Sequence, residues 1–283
     1  MKCIICGNSS FFKIPFIHEV SRYTEKTYPL FECKRCGLVR PNPLPYKDIE
    51  KSSIYAAHEN IKFFDSKSKR ITRKTEEYKY YFKHFQPYLN LIKKYYLSGK
   101  ALDVGCGAGH LLKLLSEEKF DVEGLEISPE LVNALKSDGF EAFCCEMGDK
   151  TIKCNTYDLV TLNQVLEHID DPKKFAHNLN RILKKGGHLI LAVPYLYGLV
   201  PQILRTKWYG LGYGQHLNFF SKKSLEILLE KEGFKILEFK KLIVDYAHPK
   251  FPKILNTFAG ILSQIIVSLG MGDNLFLIAK KTK

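Results

Sequence analysis

The segment Leu102-Asp103-Val104-Gly105-Cys106-Gly107-Ala108-Gly109-His110 joins an apolar run to a helical pattern through three glycines spaced two apart. Glycine permits a left-handed backbone and the close approach of a ligand, and the helix start behind the loop adds a favourable dipole for electron-rich groups. The spacing departs from the dinucleotide form G-x-G-x-x-G. Asp103 stands just before the loop, and a second acid, Glu126, ends the next apolar run, where a carboxylate can accept both hydroxyls of a ribose. A nucleoside ligand therefore fits better than a pyrophosphate.

Around this loop, short apolar runs alternate with helical stretches, which predicts an α/β fold built on a parallel sheet. Strands are expected at 101–104, 122–125, 142–145, 158–162, 189–193, 236–242 and 275–279. Ser128-Pro129 and Asp171-Pro172 pair a capping side chain with proline at the first helical position, and Ser221 caps a later helix that closes at Gly233. Gly186-Gly187 is expected to stop the preceding helix before the fifth strand. The connections 195–215 and 248–272 are longer than such a fold requires.

Two knuckles precede this domain, Cys3-Ile4-Ile5-Cys6-Gly7 and Cys33-Lys34-Arg35-Cys36-Gly37. A two-residue gap lets both thiols of a pair face one ion, and four thiolates close a tetrahedral shell, so Cys3, Cys6, Cys33 and Cys36 are expected to hold a structural zinc. No apolar leader follows Met1, so a cytoplasmic chain with reduced thiols is expected, and disulfides are disfavoured. Cys106, Cys144, Cys145 and Cys154 lack paired spacing and are expected to be buried apolar residues.

The ribbon is expected to end near residue 45, at Pro41-Asn42-Pro43-Leu44-Pro45. From Ile71, the residues Thr75, Tyr78, Phe82, Phe85, Leu89, Ile92 and Tyr96 recur at helical spacing, with Pro87 expected to divide the stretch into two helices. The net charge of +13 is concentrated here, with 11 basic and 3 acidic residues between 62 and 100. Residues 46–97 thus read as a basic helical cap, whose excess charge is either a solvated lysine face or a contact for phosphates. The apolar run from Ile254 to Gly270 is interrupted by polar residues and is too short to span a bilayer; it is expected to be buried or interfacial.

With Asp103 and its glycines, Tyr157-Asp158-Leu159-Val160, Val165-Leu166-Glu167-His168-Ile169, Leu183-Lys184-Lys185-Gly186-Gly187 and Gln215-His216-Leu217-Asn218-Phe219-Phe220-Ser221, the chain resembles class I S-adenosylmethionine-dependent methyltransferases. The last block resembles H-L-x-x-F-S of the group that modifies sugars and related metabolites, which often carries an N-terminal zinc ribbon. The resemblance implies a Rossmann-like, seven-stranded sheet with helices on both faces over 98–283. It implies that Asp103, Gly105, Gly107 and Gly109 hold the methionine and ribose portions of S-adenosylmethionine, that Glu126 binds the ribose, that Glu146 or Asp149 meets the adenine, and that Asn163 lies where cofactor and acceptor meet. A hydroxyl acceptor must lose its proton, and histidine titrates nearest neutral pH, so His168 and His216 are the candidate bases. His110 is expected to belong to the first helix.

Quinone-pathway members resemble E-V-L-E-H at the fourth strand and use the acids for a divalent cation. Gln164 stands in place of the first acid, so no catalytic metal is expected. Longer sugar C-methyltransferases carry a further C-terminal domain, whereas Leu275 to Ala279 reads as the last strand here; oxygen methylation is preferred. An RNA base methyltransferase and a non-catalytic nucleoside-binding module are the alternatives. The near-neutral 101–283 argues against nucleic acid, and the intact glycine loop against loss of activity. If the acceptor is a lipid-linked glycan, Phe251 to Leu269 would touch the membrane and Trp208-Tyr209 would line its approach.

Overall fold

The computed structural model describes residues 2–20, 26–45, 76–243 and 253–283. The expected helical positions Ile71 and Thr75, the side chain of Tyr78 and residues 46–75 of the expected cap lie outside the described residues.

Seven strands form the main sheet: β4 (Lys100–Val104), β5 (Asp121–Glu126), β6 (Glu141–Cys144), β7 (Tyr157–Asn163), β8 (Leu183–Pro194), β9 (Phe234–Leu242) and β10 (Asn274–Lys281), in the order β6-β5-β4-β7-β8-β10-β9. Pairing is parallel from β6 to β8, and β10 runs antiparallel to both β8 and β9. Strand order reverses at β4, which lies between β5 and β7, and a crevice opens beyond the carboxyl ends at such a point.

Alternation along each strand divides the core between the two faces. Leu102, Val160, Leu189, Leu191 and Leu277 pack with α4 (Pro172–Ile182) and α6 (Lys222–Lys231). Ala101, Leu159, Ile190, Phe276 and Ile278 pack on the other face with α1 (Glu76–Lys94) and α2 (His110–Glu117). α3 (Pro129–Ser137) covers β6 through Val132, Leu135 and Ala142. The expected caps are present: Ser128 accepts from Leu131 N, Asp171 from Lys173 N and Lys174 N, and Ser221 forms a reciprocal capping box with Ser224.

Four expectations are corrected. Pro87 lies inside one continuous α1, where burial of Phe85, Tyr88, Leu89, Leu91 and Ile92 offsets the hydrogen bond that proline cannot make. Phe82 and Tyr96 of the apolar stripe are exposed. Gly186-Gly187 lies within β8, where pairing with β7 begins at Leu183 and the register shifts. Cys106 is buried, but Cys144 and Cys154 are exposed and Cys145 is only half-buried, because their segment runs along the sheet edge. In the basic stretch, Lys93, Lys94 and Lys100 each pair with a carboxylate, from Glu118, Glu238 and Glu123 respectively.

A separate antiparallel sheet, β1 (Phe11–Val20), β2 (Thr27–Cys33) and β3 (Val39–Pro41), carries the cysteine knuckles. Each knuckle closes alike: Gly7 N donates to Cys3 O and Gly37 N to Cys33 O, with both glycines at positive φ. This small sheet is docked on the large one. Val39 pairs with Phe219, Ser221 Oγ donates to Cys36 O at 2.6 Å, and Arg40 Nε donates to Leu217 O at 3.2 Å. The connection 195–215, with α5 (Leu199–Leu204), supplies Leu196, Trp208 and Leu211, which pack with Ile14, Ile17, Leu30 and Val39. Trp208 is therefore buried and does not line an approach to the site. α7 (Lys253–Ser268) leaves Ile261, Leu262 and Ile265 at least half exposed, so it is not a buried core helix. Among the described residues no helix is long and apolar enough to cross a membrane.

Candidate active site

The glycine loop leaves β4 and is tied to the end of β5: Gly105 N and Cys106 N both donate to Leu125 O. Gly105, Gly107 and Gly109 all adopt positive φ. A Cβ on Gly105 would come within 2.5 Å of Val165, whereas one on Gly107 would meet nothing within 4 Å, so Gly107 faces open space. Glu126 is held by three backbone donors, with Oε2 accepting from Gly107 N at 3.0 Å and Oε1 from Ile127 N and Ser128 N. Asp103 is 3% exposed and accepts from Thr161 Oγ1 at 2.6 Å. Burial pushes its carboxyl up to about 7 against the opposing effect of that hydrogen bond, and the nearby Glu126 charge adds to the rise. His110 opens α2 as expected, stacks on Tyr81 with ring centroids 3.4 Å apart, and is pushed down to about 4 by burial.

Beyond β7, the chain turns through Leu166–His168. Val165 packs on Gly105, so this turn abuts the glycine loop. The segment carrying His216 lies against it, since Leu217 N and Asn218 N both donate to Glu167 O and Asn218 Nδ2 donates to Ile169 O. His168 Nδ1 lies 3.1 Å from Gln215 O, and His216 Nδ1 lies 2.9 Å from Gly210 O. A carbonyl oxygen only accepts, so each Nδ1 carries the proton and Nε2 is the lone-pair nitrogen of the neutral ring. The two rings meet edge to face at 4.7 Å.

Glu167 is fully buried between these elements, and neither carboxylate oxygen has a hydrogen-bond partner among the described residues. Burial pushes it up to about 8. Tyr88 reaches the same end of the sheet from α1, donating to Leu162 O and Asn163 Oδ1, and burial, then the Asp103 and Glu167 charges, hold its phenol well above its ordinary value. Asn163 thus ends β7 as expected, while Glu146 and Asp149 are exposed beyond β6, whose Cys144 pairs in register with Glu126. Gln164 turns aside, donating to Asn274 Oδ1 at 2.8 Å. Sequence reasoning assigned no role to Tyr88, Thr161 or Glu167; the one signal was an acid at Glu167 inside an apolar pentad.

In the ribbon, Cys3 and Cys36 place their Sγ atoms 3.5 Å apart, Cys6 and Cys33 do the same, and all four lie within 4.8 Å of one another. Four sulfurs about 2.3 Å from a tetrahedral zinc would lie about 3.8 Å apart, so the donor set fits that ion. The Cys3 thiol is lowered to about 4 by its contact with Cys36, which is raised by the same contact.

A parallel sheet with a glycine loop and a ribose-competent acid at its switch point defines an α/β enzyme that uses a nucleoside cofactor. Residues 75–238, more than half of the chain, match the family model described as a methyltransferase domain, and the chain belongs to that family. It is an S-adenosylmethionine-dependent methyltransferase. An uncharacterized protein of Methanocaldococcus jannaschii is 26% identical over 148 residues, covering 52% of this chain and 70% of its own. A protein of Aliivibrio fischeri named ubiquinone biosynthesis O-methyltransferase is 26% identical over 166 residues, covering 52% and 71% respectively. Among solved structures, a SAM dependent methyltransferase from Archaeoglobus fulgidus superposes with a TM-score of 0.52 at 18% identity, covering 73% of this chain and all of that one. These structures share the fold.

Proposed function

We propose that the enzyme methylates a hydroxyl of a sugar, glycan or related small metabolite. The observation that carries this reading is the pair His168 and His216, whose rings meet edge to face at 4.7 Å beside the turn that abuts the glycine loop. When bound, S-adenosylmethionine supplies an electrophilic methyl on a cationic sulfur. Gly105, Gly107 and Gly109 cradle it, Asp103 meets the amino-bearing methionine portion, Glu126 accepts the ribose hydroxyls, Asn163 borders the methyl, and Glu146 meets the adenine. The acceptor hydroxyl gives its proton toward His168 or His216, while positioning supplies much of the acceleration. Cys3, Cys6, Cys33 and Cys36 hold a structural zinc that stiffens the ribbon without entering the chemistry. The oxygen acceptor named for the Aliivibrio fischeri relative agrees with a hydroxyl.

The test pairs calorimetry with methyl-labelled cofactor. S-adenosylhomocysteine should bind the wild type at micromolar affinity and fail to bind Gly107→Arg, and label should pass to a sugar, glycan or small-metabolite fraction. His168→Gln or His216→Gln should lower kcat by roughly 10²-fold with cofactor affinity kept. Label in RNA, or an absence of cofactor binding by the folded wild type, overturns the reading.

A second reading adds peripheral membrane contact through the exposed Ile261, Leu262, Ile265 and Leu269, which would suit a lipid-linked glycan. Co-sedimentation with anionic vesicles, lost in Ile265→Asp with Leu269→Asp, is its required outcome.

A further inference from the structure

We infer that Tyr88 is a positioning residue for methyl transfer: its hydroxyl, brought in by α1, fixes the Asn163 side chain beside the methyl donor. This role rests on the proposed place of Asn163 and deepens the methyl-transfer reading. The hydroxyl donates to Leu162 O at 3.1 Å and to Asn163 Oδ1 at 3.2 Å, so one donor grips the last two residues of β7. Those residues stand at the switch point of the sheet, because Leu162 pairs with Val104 and the glycine loop begins at the next residue. Tyr88 is 3% exposed, and its ring meets Phe85 and Phe276 at 5.7 and 4.8 Å in edge contacts that set the direction of the phenol.

Packing alone does not call for that oxygen. The buried neighbours of Tyr88 on α1, Phe85, Leu89, Leu91 and Ile92, are all apolar, and a hydroxyl is costly to bury unless it is hydrogen-bonded. Burial, then the Asp103 and Glu167 charges, hold the phenol above its ordinary value, so it stays a donor at neutral pH. Asn163 is only half-buried, and an amide left free to turn averages its dipole over several directions. Gripped by Tyr88, it presents one fixed dipole, which needs no reorganisation when a charge arrives. A carbonyl oxygen has two lone pairs, and Tyr88 takes one of those on Oδ1. The sulfur of S-adenosylmethionine is cationic whereas that of S-adenosylhomocysteine is neutral, so an amide oxygen held in place favours the methyl donor over the demethylated product.

The test is titration calorimetry of S-adenosylmethionine and S-adenosylhomocysteine into the full chain as wild type, Tyr88→Phe, Asn163→Ala and the double variant. Tyr88→Phe keeps the ring and removes the hydroxyl. It should weaken S-adenosylmethionine binding roughly five- to tenfold and leave S-adenosylhomocysteine affinity at the wild-type value. Asn163→Ala should show the same selective loss, and adding Tyr88→Phe to it should change nothing further. A hydroxyl that only stabilises the fold would act on both ligands alike and would act equally with or without the Asn163 side chain. Equal losses for the two ligands, an unchanged S-adenosylmethionine affinity in either single variant, or the full loss repeated in the Asn163→Ala background overturns the inference. Wild type that binds neither ligand fails the methyl-transfer reading itself, whereas binding by wild type with an unresponsive Tyr88→Phe removes the role of Tyr88 alone.

Discussion

Glu126, which ends β5, and Glu167, in the turn after β7, are both buried glutamates at the carboxyl ends of the two strands that flank β4, yet their surroundings are opposite. Three backbone N–H groups serve Glu126, whereas no hydrogen-bond partner among the described residues serves either oxygen of Glu167. A carboxylate held by fixed donors is oriented before anything binds. An unserved one carries a desolvation cost of about 1–3 kcal/mol or more, and is stable in the interior only as the neutral acid or beside a cation. Glu126 is thus oriented by the chain alone, while burial holds Glu167 toward its neutral acid by raising it to about 8.

The largest expected effect separates the two surroundings outright. Gly107→Arg should weaken S-adenosylhomocysteine binding at least ~100-fold, about 2.7 kcal/mol, while Glu167→Gln keeps the wild-type affinity; equal losses in titration calorimetry would erase the distinction. Next, cofactor affinity should follow the ionisation of Asp103. Its folded value, about 7, lies above the ordinary one, so the carboxylate proposed to meet the cofactor's amino group is lost as pH falls. Affinity should rise about tenfold between pH 6 and 8, and Asp103→Asn should flatten that profile. The sign for the ligand-free fold is reversed: the protonated carboxyl favours the fold, so stability falls as pH rises from about 4 to about 7 and levels off above, and the stability of Asp103→Asn relative to wild type should grow across that window in chemical denaturation. Glu126→Gln should cost about 1–3 kcal/mol of stability, because its amide meets N–H donors. The smallest effect belongs to the exposed Glu146, where alanine should weaken cofactor binding only about two- to tenfold, the worth of one hydrogen bond.

The sheet was legible because its apolar runs alternate faces, as Leu102 and Ala101 or Val160 and Leu159 do, and such runs report burial directly. The glycine loop was legible because positive φ at three alternate residues leaves a compositional mark. Pro87 was misread because tertiary packing of Tyr88, Leu89 and Leu91 outweighs a local helix-breaking preference. Gly186-Gly187 was misread because positive φ serves a strand irregularity as well as a helix stop. The meeting of Glu167 with His216 could not be read, since it depends on Leu217 and Asn218 laying their N–H groups on the Glu167 carbonyl, a contact across some fifty residues that no periodicity encodes. Tyr88 was hidden likewise, because it falls outside the apolar stripe that marks its helix.

The docking of the ribbon on the 217–221 segment has a consequence for how the chain is born. The first forty residues leave the ribosome early, but the hydrogen bond from Arg40 to Leu217 spans 177 residues. At about 5–20 residues per second, the ribbon waits roughly 10–35 s before its seat on the large sheet has been synthesised. During that interval Leu30 and Val39, buried in the finished protein, lack the Trp208 and Phe219 surface that covers them. Until then the nascent ribbon must keep its own shape without that cover.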